Sequence, residues 1–152
     1  MRGFYYVKDE CAVSNAKSRA IPLPSRGTTK AAGYDFYSPN DFVIEPGQTC
    51  MIWTDIKALF SEDEVLKIYP RSSMSVQRNL VLKNTVGIID SDYYGNKSND
   101  GNIGIALWNT GNISQSVKQG EKIAQGIFEK YYTTTEANLI SERQGGFGST
   151  GL

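Results

Sequence analysis

The sequence contains no histidine. Ser-His-Asp and Cys-His catalysis are thereby excluded, and so are His-ligated zinc and haem. An enzyme built from this chain and working near neutral pH is expected to use a carboxylate as its base. Cysteine is scarce. Cys11 and Cys50 lie far apart and form no Cys-x-x-Cys pair, which fits two free or buried thiols in a reducing cytoplasm better than a disulfide framework. No stretch approaches the ~20 apolar residues of a membrane helix. The start, Met1-Arg2-Gly3-Phe4, runs directly into mixed polar sequence and does not read as a signal peptide. Neither sign of charge is in excess: Lys and Arg number 16, Asp and Glu number 16, and the formal net charge is zero. That argues against a nucleic-acid partner, yet leaves room for a small anion held by a few local donors. The chain is expected to be cytoplasmic, with neither nucleic acid nor membrane as a partner.

What is present suggests one globular domain: 152 residues, 39% hydrophobic and 21% charged. Strand-like runs recur, separated by Gly, Pro and Asn turns. They are Phe4–Val7, Gly33–Ser38, Phe42–Ile44, Thr49–Phe60, Val65–Pro70, Leu80–Asp90, Asn102–Asn109 and Ile123–Tyr132. Ser72–Asn79 is the one modest helix candidate, with Ser72 or Ser73 as its N-cap. No internal repeat is visible. The pattern predicts an all-β sandwich, jelly roll or barrel with one short helix. Lys97–Gly101 reads as a polar hairpin tip, and the glycine-rich stretch 144–151 reads as a mobile tail.

Five segments carry candidate chemistry, and each also has a plainer reading. In Gly87–Asn96 an apolar run ends at Asp90, where partial desolvation can raise a carboxylate's basicity, and Tyr93 follows with a flat ring suited to a sugar or base. The plainer reading is a hairpin with solvated turn residues. Pro70-Arg71-Ser72-Ser73 joins a strand to a helix start. It is either an anion site or an ordinary N-cap with a surface arginine. Asp35 lies inside the aromatic strand Gly33-Tyr34-Asp35-Phe36 and calls for a cation, for which Arg71 is a candidate, in a structural or a chemical role. Gln125 falls among apolar residues, so its amide needs a fixed partner: a core network, a phosphate or a water. In the tail, Arg143, Phe147, Gly148, Ser149 and Thr150 can wrap a phosphate chain, or belong to a flexible Gly/Ser terminus.

Taken in series, Ala31–Asp35, Pro70–Met74, Gly87–Gly95, Gly120–Gln125 and Arg143–Gly151 resemble the motifs of the trimeric dUTPase family, in compact bacterial or phage-like form. The resemblance spans nearly the whole chain. It implies a jelly-roll-like β-barrel over residues 1–142, a flexible arm over 143–152, and a homotrimer with active sites shared between subunits. It implies hydrolysis of dUTP to dUMP and pyrophosphate, with Mg²⁺ held mainly by the substrate's phosphates and water. By the same resemblance Asp90 is the base that activates water, and Tyr93 packs on the deoxyribose. Asn84 and the backbone at Gly87 and Ile89 read uracil. Arg71, Ser72, Ser73 and Gln125 hold phosphates, and Asp35 supports Arg71. Arg143, Phe147, Gly148 and Ser149 form the closing arm. The chain departs from the family's usual pattern in having Ser73 in place of Gly, one residue rather than two between Arg143 and the glycine pair, and extra residues around Lys97–Gly101.

Two rivals remain at this level. A dCTP deaminase of the same fold would need an acid/base Glu near the pyrimidine amino group, and would release ammonia from dCTP. A nucleotide-gated binding or signalling protein, with a regulatory protein partner, would reveal itself by nucleotide-dependent capture.

Overall fold

The computed structural model describes residues 1–14 and 21–135. The chain runs β1 (Gly3–Tyr6), β2 (Ser25–Arg26), β3 (Tyr34–Tyr37), β4 (Phe42–Ile44), β5 (Thr49–Trp53), β6 (Ile56–Leu59) and β7 (Glu64–Pro70). Helix α1 (Ser72–Arg78) follows, then β8 (Leu80–Leu82), β9 (Gly87–Ile89), β10 (Gly104–Asn109), β11 (Gln115–Val117) and β12 (Lys122–Lys130). Single 3-10 turns lie at Asp9–Cys11 and Ser91–Tyr93. All pairings are antiparallel. They form a five-stranded sheet β2-β3-β12-β7-β9, a three-stranded sheet β5-β10-β8, and the pairs β1-β6 and β11-β4. The fold is mostly β, jelly-roll-like, with one α-helix among the described residues. No continuous ladder of the described strands closes it into a barrel.

One core joins the sheets. Phe36 of β3, Leu66 of β7 and Ile123 of β12 meet Ile52 of β5 and Ile105 and Leu107 of β10; Ile44 of β4 and Val117 of β11 complete the cluster. Each such side chain contributes about 1.5–3 kcal/mol on burial. β10 alternates half-buried and buried residues along its length, as a strand with one face in the core must. Helix α1 is short and buries only Met74, and Asn79 ends it in the left-handed region at φ 54°.

Four local expectations are corrected. The long strand Thr49–Phe60 is two strands in different sheets: β5 pairs with β10, and β6 pairs with β1. Between them Asp55 takes φ 57°, its N–H donates to Asn102 Oδ1 at 2.9 Å, and Thr54 Oγ1 donates to the Ile103 carbonyl at 2.8 Å. Polar partners thus hold a corner that hydrophobic periodicity does not reveal. Neither Ser72 nor Ser73 caps α1; the N-cap is Arg71, extended at φ −91° and ψ 146° with no side-chain cap. The hairpin is split. β8 pairs with β10, whereas β9 leaves that ladder to pair with β7, Gly87 facing Ile68 and Ile89 facing Leu66. β11 was not anticipated, being three residues long with only Val117 buried.

Lys97–Gly101 is the fourth. It is a compact knot rather than a solvated tip. Asp100 is 4% exposed and Asn102 is fully buried. The Asp100 carboxylate accepts from Lys57 Nζ at 2.6 Å and from the Lys8 N–H at 2.9 Å. Burial works against that charge, but the Lys57 and Lys8 hydrogen bonds and charges outweigh it and hold the pKa below the ordinary aspartate value.

Candidate active site

β3 and β12 pair so that Asp35 stands opposite Gln125, and Gln125 in turn stands opposite Tyr69 of β7. Just beyond, β7 ends at Pro70 and the chain turns into α1. The register therefore delivers Asp35, Gln125 and Arg71 to one end of the three inner strands of the five-stranded sheet. They line a cleft of about 500 Å³ with Ser72, Ser73, Gly33, Ala31, Ala32, Gly27 and Thr28.

Asp35 lies between two cations. Arg71 Nε is 3.0 Å from one carboxylate oxygen, and Lys122 Nζ is 2.8 Å from the other. The Asp35 side chain is 11% exposed, whereas Arg71 is 30% and Lys122 39%. The anion is thus inside and the cations face outward. One carboxylate against two cations leaves a net positive edge, which suits polyphosphate better than a carbonyl or an amine. The expected Asp35–Arg71 pair is present. Lys122 is not among the residues expected from the sequence, because a bulge sets its place. The bulge between Lys122 and Ala124 puts Lys122 opposite Tyr37 while Gln125 stays opposite Asp35. A lysine three residues before that glutamine was the available signal.

Gln125 has a fixed partner. Its Nε2 donates to the Pro70 carbonyl at 3.2 Å, fixing the strand end from which Arg71 departs. Its Oε1 lies where a side chain at residue 33 would begin: a Cβ on Gly33 would stand 2.5 Å away. A side chain there would displace the Gln125 amide and press on its Cβ at 3.2 Å. The loop before it is held by Thr28, whose hydroxyl accepts the Ala31 N–H at 3.1 Å.

The other candidates lie elsewhere on the same chain. β9 carries Gly87 and Ile89, with Asn84 exposed in the turn before it. Asp90 follows, exposed and extended at φ −84° and ψ 157°, its carbonyl accepting the Tyr93 N–H at 3.1 Å. The single chain does not supply the desolvation that Asp90's position in the sequence suggested. Tyr93 is 6% exposed and belongs to the core cluster, so most of its ring is already covered.

Because Ile89 stands opposite Leu66, Asp90 is level with Val65. From Val65 to Arg71 along β7 is roughly 20 Å at the usual strand rise. The cleft and the carboxylate of one chain lie at opposite ends of one strand. Arg143, Phe147, Gly148 and Ser149 lie outside the described residues. Among those described, no group of three or more Asp, Glu, Cys or His side chains converges on a metal-sized point.

The dUTPase family model matches residues 19–151. The chain is 38% identical to the deoxyuridine 5'-triphosphate nucleotidohydrolase of Lactococcus lactis over 141 residues, covering 91% of this chain and 94% of that one. It is also 38% identical to the fowlpox virus protein of the same name, over 95% of this chain and 99% of that one. The crystal structure of dUTPase from Streptococcus mutans superposes with a TM-score of 0.76 at 33% identity, covering 88% of this chain and 99% of that one. The chain belongs to the dUTPase family.

Proposed function

We propose that the chain is a Mg²⁺-dependent dUTP diphosphatase that works as a homotrimer, each active site taking its phosphate cleft from one subunit and Asp90 from another. The observation that carries this is the separation along β7. A water activated at Asp90 and a triphosphate held at Arg71 of the same chain are roughly 20 Å apart, far beyond hydrogen-bond reach. A second copy that sets its β9 edge against the cleft removes the conflict. It would also cover the Asp90 carboxylate that the single chain leaves exposed.

In this reading Arg71, Lys122, Ser72 and Ser73 hold the phosphates, while Gln125 and Asp35 fix the cations' positions. The partner's Asn84, with the backbone at Gly87 and Ile89, takes the uracil edge, and Tyr93 meets the deoxyribose. Asp90 accepts a proton from water as its oxygen bonds to the α-phosphorus in line. The bond from that phosphorus to its bridging oxygen breaks, and pyrophosphate leaves with the electron pair. Positioning and charge neutralisation carry the rate, with no covalent nucleophile. The donor set fits a magnesium ion that arrives on the nucleotide. Asp35 is already committed to two cations, so phosphate oxygens and water are the hard ligands at hand. Bound there, the ion would neutralise phosphate charge.

The barrel closure, a folded domain over 1–142 and a closing arm over 143–152 with Arg143, Phe147, Gly148 and Ser149 belong to the same proposal. The single core shared by all the sheets supports the barrel. Cys11 and Cys50 are both free thiols, which supports a reducing, cytoplasmic setting. Pyrophosphate release from dUTP, UTP, dTTP and dCTP, with and without Mg²⁺, tests the activity. Fast release from dUTP alone is expected. Equal use of UTP, or ammonia from dCTP, contradicts it.

A further inference from the structure

The extra residues Lys97–Gly101 enclose Tyr93 with side-chain amides. Asn99 Nδ2 donates to the Tyr93 hydroxyl oxygen at 2.7 Å, and that hydroxyl donates to the Asn102 carbonyl at 2.7 Å. Asn99 is itself fixed: its Oδ1 accepts from Asn96 Nδ2 at 2.8 Å and from the Gly101 N–H at 3.1 Å. Asn96 is buried and fully used. Its Nδ2 also donates to the Tyr93 carbonyl at 2.9 Å, and its Oδ1 accepts the N–H groups of Ser98 and Asn99 and the Ser98 hydroxyl. Both ends of Tyr93, backbone and phenol, are therefore gripped by Asn96 and Asn99. The return leg is equally close: a Cβ on Gly101 would stand 2.8 Å from the Tyr93 carbonyl oxygen, at φ 88°. Asp100 then ties the knot to Lys57 of β6 and to the Lys8 N–H just after β1.

We propose that this insertion is a specificity element, in which Asn99 is a positioning residue that sets the Tyr93 ring against the nucleotide's sugar. The inference rests on the reading that Tyr93 meets the deoxyribose. A ring that excludes a hydroxyl by contact must not tilt or retreat, and core packing holds Tyr93 along its body. A hydrogen bond at the far end of the ring fixes tilt. Asn99 needs no contact with the nucleotide, and its effect falls on the sugar rather than on the base.

Asn99→Asp tests this: it keeps the acceptor for Asn96 and Gly101, and replaces the amide that donates to the Tyr93 hydroxyl, and at 3.3 Å to the Asn102 carbonyl, with a charged acceptor. The readout is the dUTP-over-UTP ratio of kcat/KM, taken within one sample so that a loss of folded protein cancels. The dUTP-over-dTTP ratio is the control. The expected result is a fall of about three- to tenfold in the sugar ratio, the worth of one hydrogen bond, with the base ratio unchanged. Tyr93→Phe should give a similar fall, and adding Asn99→Asp to it should change nothing further. An unchanged sugar ratio, equal falls in both ratios, or an Asn99→Asp effect that persists beside Tyr93→Phe overturns the proposal. A crystal structure with a non-hydrolysable dUTP analogue separates the two failures. A sugar lying away from the Tyr93 ring ends the underlying reading. A sugar on the ring together with an unchanged Asn99→Asp ratio ends only the positioning role.

Discussion

At the Pro70 end of β7 the chain gathers full charges: Asp35 inside, Arg71 and Lys122 outside, all set by the register of β3, β12 and β7. Beyond the other end of that strand, the excursion from β8 to β10 is organised chiefly by neutral amides: Asn96 and Asn99 around Tyr93, and Asn102 around the Asp55 corner. The difference follows from what each end must do. Phosphates carry charge and arrive in water, so a positive edge attracts them from a distance and tolerates some freedom of position. A uracil and a deoxyribose are neutral and small, so they are told apart by fixed shape and fixed donors, which a satisfied amide network supplies.

The largest effect should come from removing the base. Asp90→Asn keeps the shape of the side chain and loses its ability to accept a proton, so turnover should fall about 10²–10⁴-fold while the dUTP dissociation constant stays near its original value. Single-turnover kinetics beside a binding titration would check it. Wild-type turnover in that variant would remove Asp90 from the role. At the charged end, Arg71→Ala should weaken dUTP and UTP alike, each about 10- to 100-fold, since the cleft reads phosphates and not the sugar. A selective loss of one nucleotide would break the division between the two ends.

The charged end was readable in the sequence, and the amide end was not. Asp35 inside an aromatic strand demanded a cation, and Arg71 stood at the end of a well-patterned strand, so their pairing could be anticipated before any register was known. Lys122 escaped because a bulge sets its place, and bulges leave little trace in hydrophobic periodicity. The Thr54–Asp55 corner escaped because the groups that hold it, the Asn102 side-chain amide and the Ile103 carbonyl, come from far along the chain. Lys97–Gly101 escaped for a stronger reason. A run of Lys, Ser, Asn, Asp and Gly has the composition of a solvated loop, and only the three-dimensional return of Gly101 onto Tyr93 turns it into buried structure. Tyr93 shows the same limit in reverse: it could be read as a platform, but not as a ring already mostly enclosed.

Smaller effects sharpen the contrast through stability. Gly101→Ala meets both a backbone oxygen at 2.8 Å and a positive φ, whereas Gly95→Ala meets only the positive φ, with nothing within 4 Å. The first should cost about 1–3 kcal/mol or more of unfolding free energy and the second about 1 kcal/mol, measured by thermal or urea melting. Equal costs would mean that the knot gives way easily. Acid should act on the same region. The Asp100 pKa is lower folded than unfolded, so its linkage contributes stability above the ordinary aspartate value of 3.8 and loses it as pH falls through the lower folded value. Melting temperatures followed downward from about pH 6 should drop with a shallower slope in Asp100→Asn than in the wild type. Parallel slopes would place the acid-sensitive carboxylate elsewhere.

The central claim is that a productive site takes its cleft from one chain and Asp90 from another. Asp90→Asn subunits have intact clefts, and Arg71→Ala subunits have an intact Asp90. Refolding an equal mixture should give mixed trimers, each with one fully intact site, and recover about a quarter of wild-type turnover at limiting dUTP. If the cleft and Asp90 of the same chain worked together, no mixture could assemble an intact site. Turnover would then equal the mean of the two defective proteins, which would contradict the account.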